Sequence, residues 1–253
     1  NRLVQPGEDG APAPELATSW AANDDSTEWT LQLREGVRFH DGSDMTADDV
    51  AYTLNRVIDP EFDTPVKAVL GIMESVEAID DYSVLIRLSS PHADFPLLLT
   101  DYRVQIIPEG SGDTIGATGI GTGPFKLETF DVDGTTVLAA NDDYWEGTPK
   151  LASVELVPIP DQQAVLQAML AGQIDFFPAS SSEADLFTDE SKYALRVLPS
   201  GGWEAFVMRT DTAPFDDVRV RRALRLVVDR QEMIDLVLGP DGGTVACDTP
   251  VWP

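Results

Sequence analysis

The chain has 253 residues, enough for two domains, and 43% of them are hydrophobic, so a substantial core can be buried. A formal net charge of −27 argues against binding to phosphate backbones. No apolar run approaches the roughly 18 residues of a membrane span. The single cysteine, Cys247, excludes an internal disulfide and any zinc site built from cysteine pairs.

The first predicted elements are two short strands. Trp29, Leu31 and Leu33 alternate with polar residues, which is the pattern of a half-buried strand. After a turn, Val37 and Phe39 resume the same alternation, which predicts a second strand.

The segment HDGSDMTADD at 40–49 concentrates one histidine and four aspartates. Asp41 precedes a glycine in a strong turn signal, and Thr46 with Asp49 forms a capping box for a helix over 47–57. The spacing matches no calcium loop. We therefore interpret the segment as a turn and a helix cap, with a metal or catalytic site as the alternative. The predicted buried residues of the helix are Val50, Leu54 and Val57.

The middle of the chain is rich in strand patterns. A strand, an Asp-Asp turn and a second strand are predicted first, followed by an apolar run and a strand-like segment that ends at Pro108. Residues 109–123 form a Gly- and Thr-rich loop without the Lys-Ser or Lys-Thr of a phosphate-binding loop. A hairpin follows, with Thr136–Ala140 as its return strand, and LASVELVPIPD predicts a buried strand. The residues expected on one face of the second strand are Val84, Ile86 and Leu88.

The last hundred residues alternate between helix and strand patterns. Asp161 is a good N-cap for a helix ended by Gly172, and IDFFPA, LRVLP and WEAFVMRT predict strands. Two further helices are predicted over 213–239. The element order indicates an α/β protein, and a composition shift near 145–150 predicts domains at 1–148 and 149–253. The expected inward-facing residues are Val165, Leu166, Met169 and Leu170 in the first helix and Val220, Ala223, Leu224 and Val227 in the second; Arg219, Arg222 and Arg225 form the outer face.

Five segments, in order, carry a resemblance to a known family. They are the stretch that begins PELATSW and continues through EWTLQLREGVRFHDGSDMTADDVAYTLNRV, then GTGPFKLETF, NDDYWEGTPKLASVELVPIPD, AMLAGQIDFF and PFDDVRVRRALRLVVDRQEMI. Together they span essentially the whole chain. The chain resembles the family 5 extracellular solute-binding proteins of ABC importers, the peptide- and nickel-type group called cluster C.

The resemblance implies an α/β, periplasmic-binding-protein-like type II fold with two lobes that close on a solute. Residues 1–148 would be an extra β-rich subdomain of the first lobe, and 149–253 its α/β portion leading toward the hinge. The second lobe would be missing, so the chain looks like an N-terminal-half fragment, and we expect it to bind no solute with useful affinity alone. The implied protein is a monomer without enzymatic activity or cofactor, extracellular or periplasmic, anchored as a lipoprotein, and partnered by a membrane permease.

The resemblance also implies where the solute, a di- or oligopeptide, would be held. The loops TDYRVQ, GTG and GGWE are the candidates in this half. Tyr102 and Trp203 would offer flat apolar contact, Arg103 would meet a carboxylate, and Glu204 would meet a peptide amino group. Burial in the core is the alternative for Trp203, and a plain surface charge for Glu204. The remaining candidates are Gly121, Thr122 and Gly123, where the backbone would approach the solute.

Other functions remain open at this point. The same fold would also suit a nickel chelate or an oligosaccharide, or would serve as a sensory ligand-binding module. His40 and His92 are the two histidines, and metal ligation by either is a minor alternative, so we expect no metal site. A hydrolase is the least favoured reading because the acids lie at turns and caps and no GxSxG or HExxH motif is present.

Overall fold

The computed structural model describes residues 1–7, 9–196, 205–239 and 242–245. The chain divides into two compact units, Asn1–Pro158 and Ile159–Pro253, called unit 1 and unit 2 below. Within the described ranges, no helix combines the length and the apolar character needed to cross a membrane.

Unit 1 is built from antiparallel sheets with one long helix. Its sheets have the strand orders β1-β2, β3-β4-β6-β5 and β7-β8-β9. The strands are β1 (Val4–Pro6), β2 (Pro12–Pro14), β3 (Ala17–Ala22), β4 (Glu28–Leu33), β5 (Met73–Asp80), β6 (Ser83–Leu88), β7 (Phe125–Thr129), β8 (Thr136–Ala140) and β9 (Ser153–Leu156). The helices are α1 (Ala47–Ile58) and the single turns α2 (Lys67–Leu70), α3 (Phe95–Leu98) and α4 (Ile115–Thr118).

The four-stranded sheet confirms the predicted alternation. In the pairing of β4 with β6, Trp29 lies opposite Ile86 and Leu31 opposite Val84. All four of these side chains are buried, because residues two apart on a strand face the same side of the sheet. The core of unit 1 therefore lies on the face that the sequence pattern predicted.

Helix α1 also forms as predicted, with the capping box of Thr46 and Asp49 in place. Its apolar stripe, including Val50 and Leu54, is buried, and α1 lies against β5. The Asn55 side chain completes this contact, because its amide donates to the Val76 carbonyl at 2.8 Å and its oxygen accepts from Val76 N.

Three strand predictions in unit 1 need correction. Val37 and Phe39 are buried, but their segment makes only an isolated bridge between Arg38 and Asp44. The segment that ends at Pro108 is not a strand, because Ile106 N bonds Asn1 O and Ile107 N bonds the Thr53 hydroxyl of α1 instead of a neighbouring strand. Strand β9 is not buried: in the described part of the sheet it pairs only with β8, at the edge.

Unit 2 contains the three helices that the sequence predicts, α5 (Gln162–Leu170), α7 (Val218–Val227) and α8 (Arg230–Val237). It also contains a single turn that was not predicted, α6 (Ser181–Ala184). Each of the three longer helices begins at an aspartate whose carboxylate accepts a backbone N–H of the first turn. These N-caps are Asp161, which bonds Ala164 N at 2.9 Å, Asp217 and Asp229. They satisfy donors that the first turn of a helix leaves without partners.

The burial and strand predictions for unit 2 are largely wrong. Residues 174–179, 195–196 and 205–210 form no strand, and the rest of those predicted strands, 197–199 and 203–204, lies outside the described residues. Among the described residues of this unit, only Leu166 and Ala168 of the hydrophobic side chains are buried. Leu224 and Val227, expected to face inward, are exposed. A strand needs a neighbour for its ladder and an apolar stripe needs a surface to cover it, and the described residues supply neither here.

Candidate functional site

A cavity of about 310 Å³ opens in unit 1 between two loops. The loops are residues 105–107 and 119–123, and the second contains the predicted binding residues Gly121, Thr122 and Gly123. Its lining is completed by Asn1, His40 and Ile115. The structure therefore brings part of the TDYRVQ segment and the GTG segment to one concave surface.

The first loop is fixed by side chains of α1. The Thr53 hydroxyl accepts a hydrogen bond from Ile107 N at 3.1 Å, and Asp49 accepts from Glu109 N at 2.8 Å. Since Asp49 is also the capping-box residue, one carboxylate both starts the helix and holds this loop. Buried Ile106 fills the space beneath. One residue of the acidic cluster, Asp49, thus helps to fix the chain just after one wall of the cavity.

The second loop is fixed by His40. The His40 backbone N–H donates to Gly121 O at 2.9 Å, and Gly121 N donates to the imidazole Nδ1 at 3.2 Å. The imidazole Nε2 lies 3.0 Å from Gly123 O, which also accepts from Asn141 Nδ2 at 3.0 Å. Because Nδ1 must accept from Gly121, the hydrogen sits on Nε2 and the imidazole is neutral. Burial lowers the pKa of His40, which favours the same neutral form.

Thr122 turns its side chain into the protein. The residue is fully buried, and its hydroxyl donates to Asn1 Oδ1 at 3.2 Å. The same Asn1 amide donates to buried Glu15 at 2.8 Å and accepts from Trp145 Nε1 at 3.3 Å. The Thr122 side chain therefore belongs to an internal hydrogen-bond network that anchors the loop.

Gly121 and Gly123 have no steric or conformational need to be glycine in the part of the chain that the structure describes. A Cβ on Gly123 would meet no atom within 4 Å, and one on Gly121 only His40 Cε1 at 3.8 Å. Neither has the positive φ that disfavours other residues, whereas neighbouring Gly119 has φ 58° and would place a Cβ 2.9 Å from Leu127. A Cβ on Gly123 would therefore face open space, and one on Gly121 would make ordinary van der Waals contact with His40.

The other predicted residues lie elsewhere or are not described. Tyr102 is 74% exposed and does not line the cavity. The Arg103 guanidinium binds the Asp101 carboxylate through two hydrogen bonds, of 2.8 and 2.5 Å, and it holds the pKa of that carboxyl below its ordinary value. Trp203 and Glu204 lie outside the described residues.

His40, Gln105 and Asn141 were not among the sequence-predicted binding residues. His40 stands beside the Asp-Gly turn and was weighed only as a metal ligand, and nothing in the pattern links it to Gly121, 81 residues away. Asn141 follows a strand in a turn-rich stretch that gives no sign of its burial. Across the described ranges, no group of three or more His, Cys, Asp or Glu side chains is placed to hold a metal ion.

Comparison with known proteins finds relatives both by sequence and by structure. The chain is 30% identical over 254 residues to the di/tripeptide-binding protein 2 of Pseudomonas aeruginosa, covering 89% of this chain and 48% of that protein. It is 28% identical over 270 residues to heme-binding protein A of Haemophilus influenzae, covering 95% and 48% respectively. The solved structure of NikZ from Campylobacter jejuni in complex with Ni(L-His) superposes with a TM-score of 0.82 at 24% identity, over 92% of this chain and 48% of that one.

These matches confirm the predicted fold class, a type II periplasmic-binding-protein-like α/β fold. The chain spans about half the length of the curated relatives it matches. The family model described as bacterial extracellular solute-binding proteins, family 5 Middle, matches residues 11–252. The chain therefore belongs to the family 5 bacterial extracellular solute-binding proteins.

Proposed function

We propose that the protein is the solute-binding component of an ABC importer, which captures a peptide-like solute and delivers it to a membrane permease without chemical change. The carrying observation is Gly123 in the wall of the 310 Å³ cavity, where a Cβ would meet no atom within 4 Å. A glycine that its own fold does not require leaves room for another molecule to reach the backbone.

The polar groups of the cavity suit an extended amide-containing solute. Gln105 lines the cavity. Its side-chain amide donates a hydrogen bond to Tyr102 O at 2.7 Å, which ties residue 105 to the preceding part of the TDYRVQ segment. The rest of the first loop contributes isoleucines, so the wall combines apolar surface with exposed backbone. Main-chain hydrogen bonds to a peptide give affinity with little demand on its side chains.

Tyr102 and Arg103 are proposed to act at the rim. The Tyr102 ring is exposed, and the Arg103 guanidinium lies 5.7 Å from its centroid. A solute carboxylate would compete with the Asp101 carboxylate for the two hydrogen bonds that Arg103 donates. We therefore propose that the solute carboxylate replaces Asp101 as the partner of Arg103. Trp203 and Glu204 remain proposed contacts on the GGWE loop.

The proposal has a two-lobe mechanism. Residues 1–148 would form the β-rich subdomain and 149–253 the α/β part of the first lobe, and the length of the relatives supports a second lobe outside these 253 residues. Solute bound between the lobes would stabilise the closed form because only that form contacts it from both sides. We propose a monomeric protein, extracellular or periplasmic and lipid-anchored.

The solute class is the part of the proposal that most needs a test, because relatives are described as binding dipeptides and tripeptides, heme and Ni(L-His). A thermal-shift screen of the full-length protein, with these 253 residues alone as the control, should use pools of di- and tripeptides, metal chelates and oligosaccharides. A ligand at 100 times its Kd adds about 2.7 kcal/mol to the free energy of unfolding. A shift with peptides alone supports the proposal, and a shift with another pool alone contradicts the peptide assignment.

The role of the glycines is tested by Gly123→Ala against a matched control, Gly116→Ala. Gly116 also has no atom within 4 Å of a built Cβ and no positive φ, but it does not line the cavity. Both variants should match or exceed the stability of the parent, by up to about 1 kcal/mol. Calorimetry with the peptide found in the screen should show about tenfold weaker binding for Gly123→Ala only. Equal affinities for the two variants would contradict a backbone contact at Gly123.

A further inference from the structure

His40 connects two segments that are far apart in the sequence, and it does so through both its backbone and its side chain. Three hydrogen bonds join it to the loop 119–123: two involve Gly121 and one involves Gly123. The two side-chain bonds use opposite edges of one ring, so the imidazole spans the loop from Gly121 N to Gly123 O. A rigid ring that accepts at one end and donates at the other fixes the separation of those two backbone groups.

His40 lines two cavities of different character. One is the 310 Å³ cavity with its isoleucines, and the other is a cavity of about 210 Å³ whose lining includes four charged residues. The charged groups around His40 are Arg38 and Asp41 on its own turn, Lys126 of β7 and Asp143 after β8. Lys126 opposes a positive imidazole, whereas hydrogen bonds to the carbonyls of Gly123 and Gly119 favour it less strongly than burial opposes it. Asp41 is already engaged by Ser43 N and Oγ.

We propose that His40 is a positioning residue for the solute-binding loop: its neutral imidazole holds the backbone of Gly121 and Gly123 in the cavity wall, and its protonation releases that backbone. The inference deepens the proposed function, on which its affinity measurement rests. A protonated ring has N–H groups at both edges, so Nδ1 can no longer accept from Gly121 N and the two hydrogens repel.

The direction of the pH effect follows from the structure. Burial lowers the pKa of His40 in the folded protein, so the neutral ring is retained to a lower pH than in an unfolded chain, whose histidine titrates near about 6.5. The contribution of the bridge to stability is therefore complete above about pH 6.5 and is lost as the pH falls through the lowered pKa of His40. Solute affinity should fall over the same range.

The backbone bond from His40 N to Gly121 O survives any substitution of the side chain. Variants at this position should therefore fold, and they separate the two edges of the ring. His40→Asn keeps an acceptor close to the position of Nδ1, His40→Gln keeps a donor close to the position of Nε2, and His40→Ala keeps neither. His92→Gln is the matched control, because it removes the chain's other histidine, which has no contact with loop 119–123 among the described hydrogen bonds.

The test is amide hydrogen exchange of the protein, read at Gly121 and expressed as protection relative to the intrinsic rate at each pH. At pH 7.5, His40→Ala and His40→Gln should lose about tenfold of the protection of Gly121, and His40→Asn and His92→Gln should retain most of it. In the parent protein the protection should fall with acid in step with the imidazole titration, followed by ¹⁵N NMR. Unchanged protection in His40→Ala, or an imidazole that titrates without any change at Gly121, would overturn the proposal.

The exchange measurements need no solute, so they separate this inference from the proposed function. If Gly121 behaves as expected and a dipeptide or tripeptide binds, its affinity should weaken about tenfold in His40→Ala with little change in His92→Gln. Loss of protection without loss of affinity would overturn the positioning role while leaving the capture function intact. If no peptide binds at all, the proposed peptide function fails, and the exchange data alone decide whether His40 holds the loop.

Discussion

Unit 1 and unit 2 both contain helices with apolar residues at helical spacing, but among the described residues unit 2 buries only two of them, Leu166 and Ala168 of α5. In α1, Val50 and Leu54 are fully buried against the sheet, whereas in α7 Leu226 is 85% and Val227 81% exposed. Both helices begin at a side-chain cap and run for a similar length. The difference teaches that a helical pattern identifies the residues that need a partner and not the surface that provides one.

The capping residues of the two units also differ in how far their side chains reach, although the Gln162 side chain of α5 does bond Glu183, 21 residues away. In unit 1, Asp49 and Asn55 of α1 bond backbone groups 60 and 21 residues away. In unit 2, the described caps Asp161, Asp217 and Asp229 bond residues two or three positions along the chain. Local bonds start a helix, but only bonds between distant segments position one element against another.

The largest expected difference is in buried leucines. Leu54→Ala in α1 should lower the free energy of unfolding by about 2 to 5 kcal/mol, because a fully buried side chain leaves a cavity. Leu226→Ala in α7 should change it by no more than about 0.5 kcal/mol. Urea denaturation followed by circular dichroism measures both. A similar large cost at the two positions would mean that Leu226 has a burying partner beyond the described residues.

The next difference is between a cap with distant bonds and a local cap. Asp49→Ala should cost about 2 to 3 kcal/mol, since it leaves the N–H groups of Thr46 and Glu109 without an acceptor. Asp161→Ala removes one exposed bond to Ala164 N and should cost about 0.5 to 1 kcal/mol. The same denaturation experiment ranks them, with exposed Asp48→Ala as the neutral reference. The contrast fails if the Asp161 variant is the less stable of the two.

Removing an ion pair should also affect the stability of unit 1 more than that of unit 2, but by less than the substitutions above. Arg87 of β6 pairs with Glu28 of β4 at 3.1 Å and with Glu77 of β5, so it joins three strands. Arg219 pairs only with its neighbour Asp217 among its described contacts, and its side chain is 87% exposed. Arg87→Ala should lower the urea midpoint slightly, and Arg219→Ala should leave it unchanged, because exposed ion pairs contribute little to stability. Repeating the denaturation in 1 M NaCl should reduce the Arg87 cost, and a cost that ignores salt would argue against an electrostatic origin.

The smallest effect at neutral pH concerns Tyr144 in unit 1. Burial raises the pKa of Tyr144 to about 12. A raised pKa in an acid favours the neutral form in the folded state, so the associated stability is complete below about pH 10 and is lost as the pH rises toward 12. An ultraviolet titration of the parent protein should show one late phenol among the five tyrosines. That late step should vanish in Tyr144→Phe, and its persistence would assign it to another tyrosine.

Predictions made from neighbouring residues were the ones that the structure confirmed. The capping box of Thr46 and Asp49, the alternation in β4 and the hairpin of β7 and β8 all depend on contacts within a few positions or on a short turn. The strand predicted up to Pro108 was wrong because hydrophobic Val104 and Ile106 do reach the core, but without a strand beside them. A buried apolar pair is common to strands and to packed loops.

The candidate site also has a part that neighbouring residues predict and a part that depends on contacts between distant segments. The Gly-rich GTG segment could be selected from sequence because glycine is the residue that lets a backbone approach another molecule. The open space beside Gly123, and the concave surface shared with residues 105–107, depend on how two distant loops pack. Tyr102 and Arg103 belong to the right segment by sequence, yet the fold places them outside the cavity lining.

By itself, the sequence determined the helix starts and the strand faces of the central sheet, because these depend on residues that are close together in the chain. It also determined the family to which the chain belongs, because an ordered set of motifs identifies that family. Only the tertiary structure decided that His40 meets Gly121 across 81 residues, and that the stripe of α7 stays uncovered within the described chain while that of α1 does not. The physical reason is one of range. Caps, turns and periodicity are satisfied within a turn or two of chain, whereas burial and bridging hydrogen bonds require a second surface that local patterns do not specify.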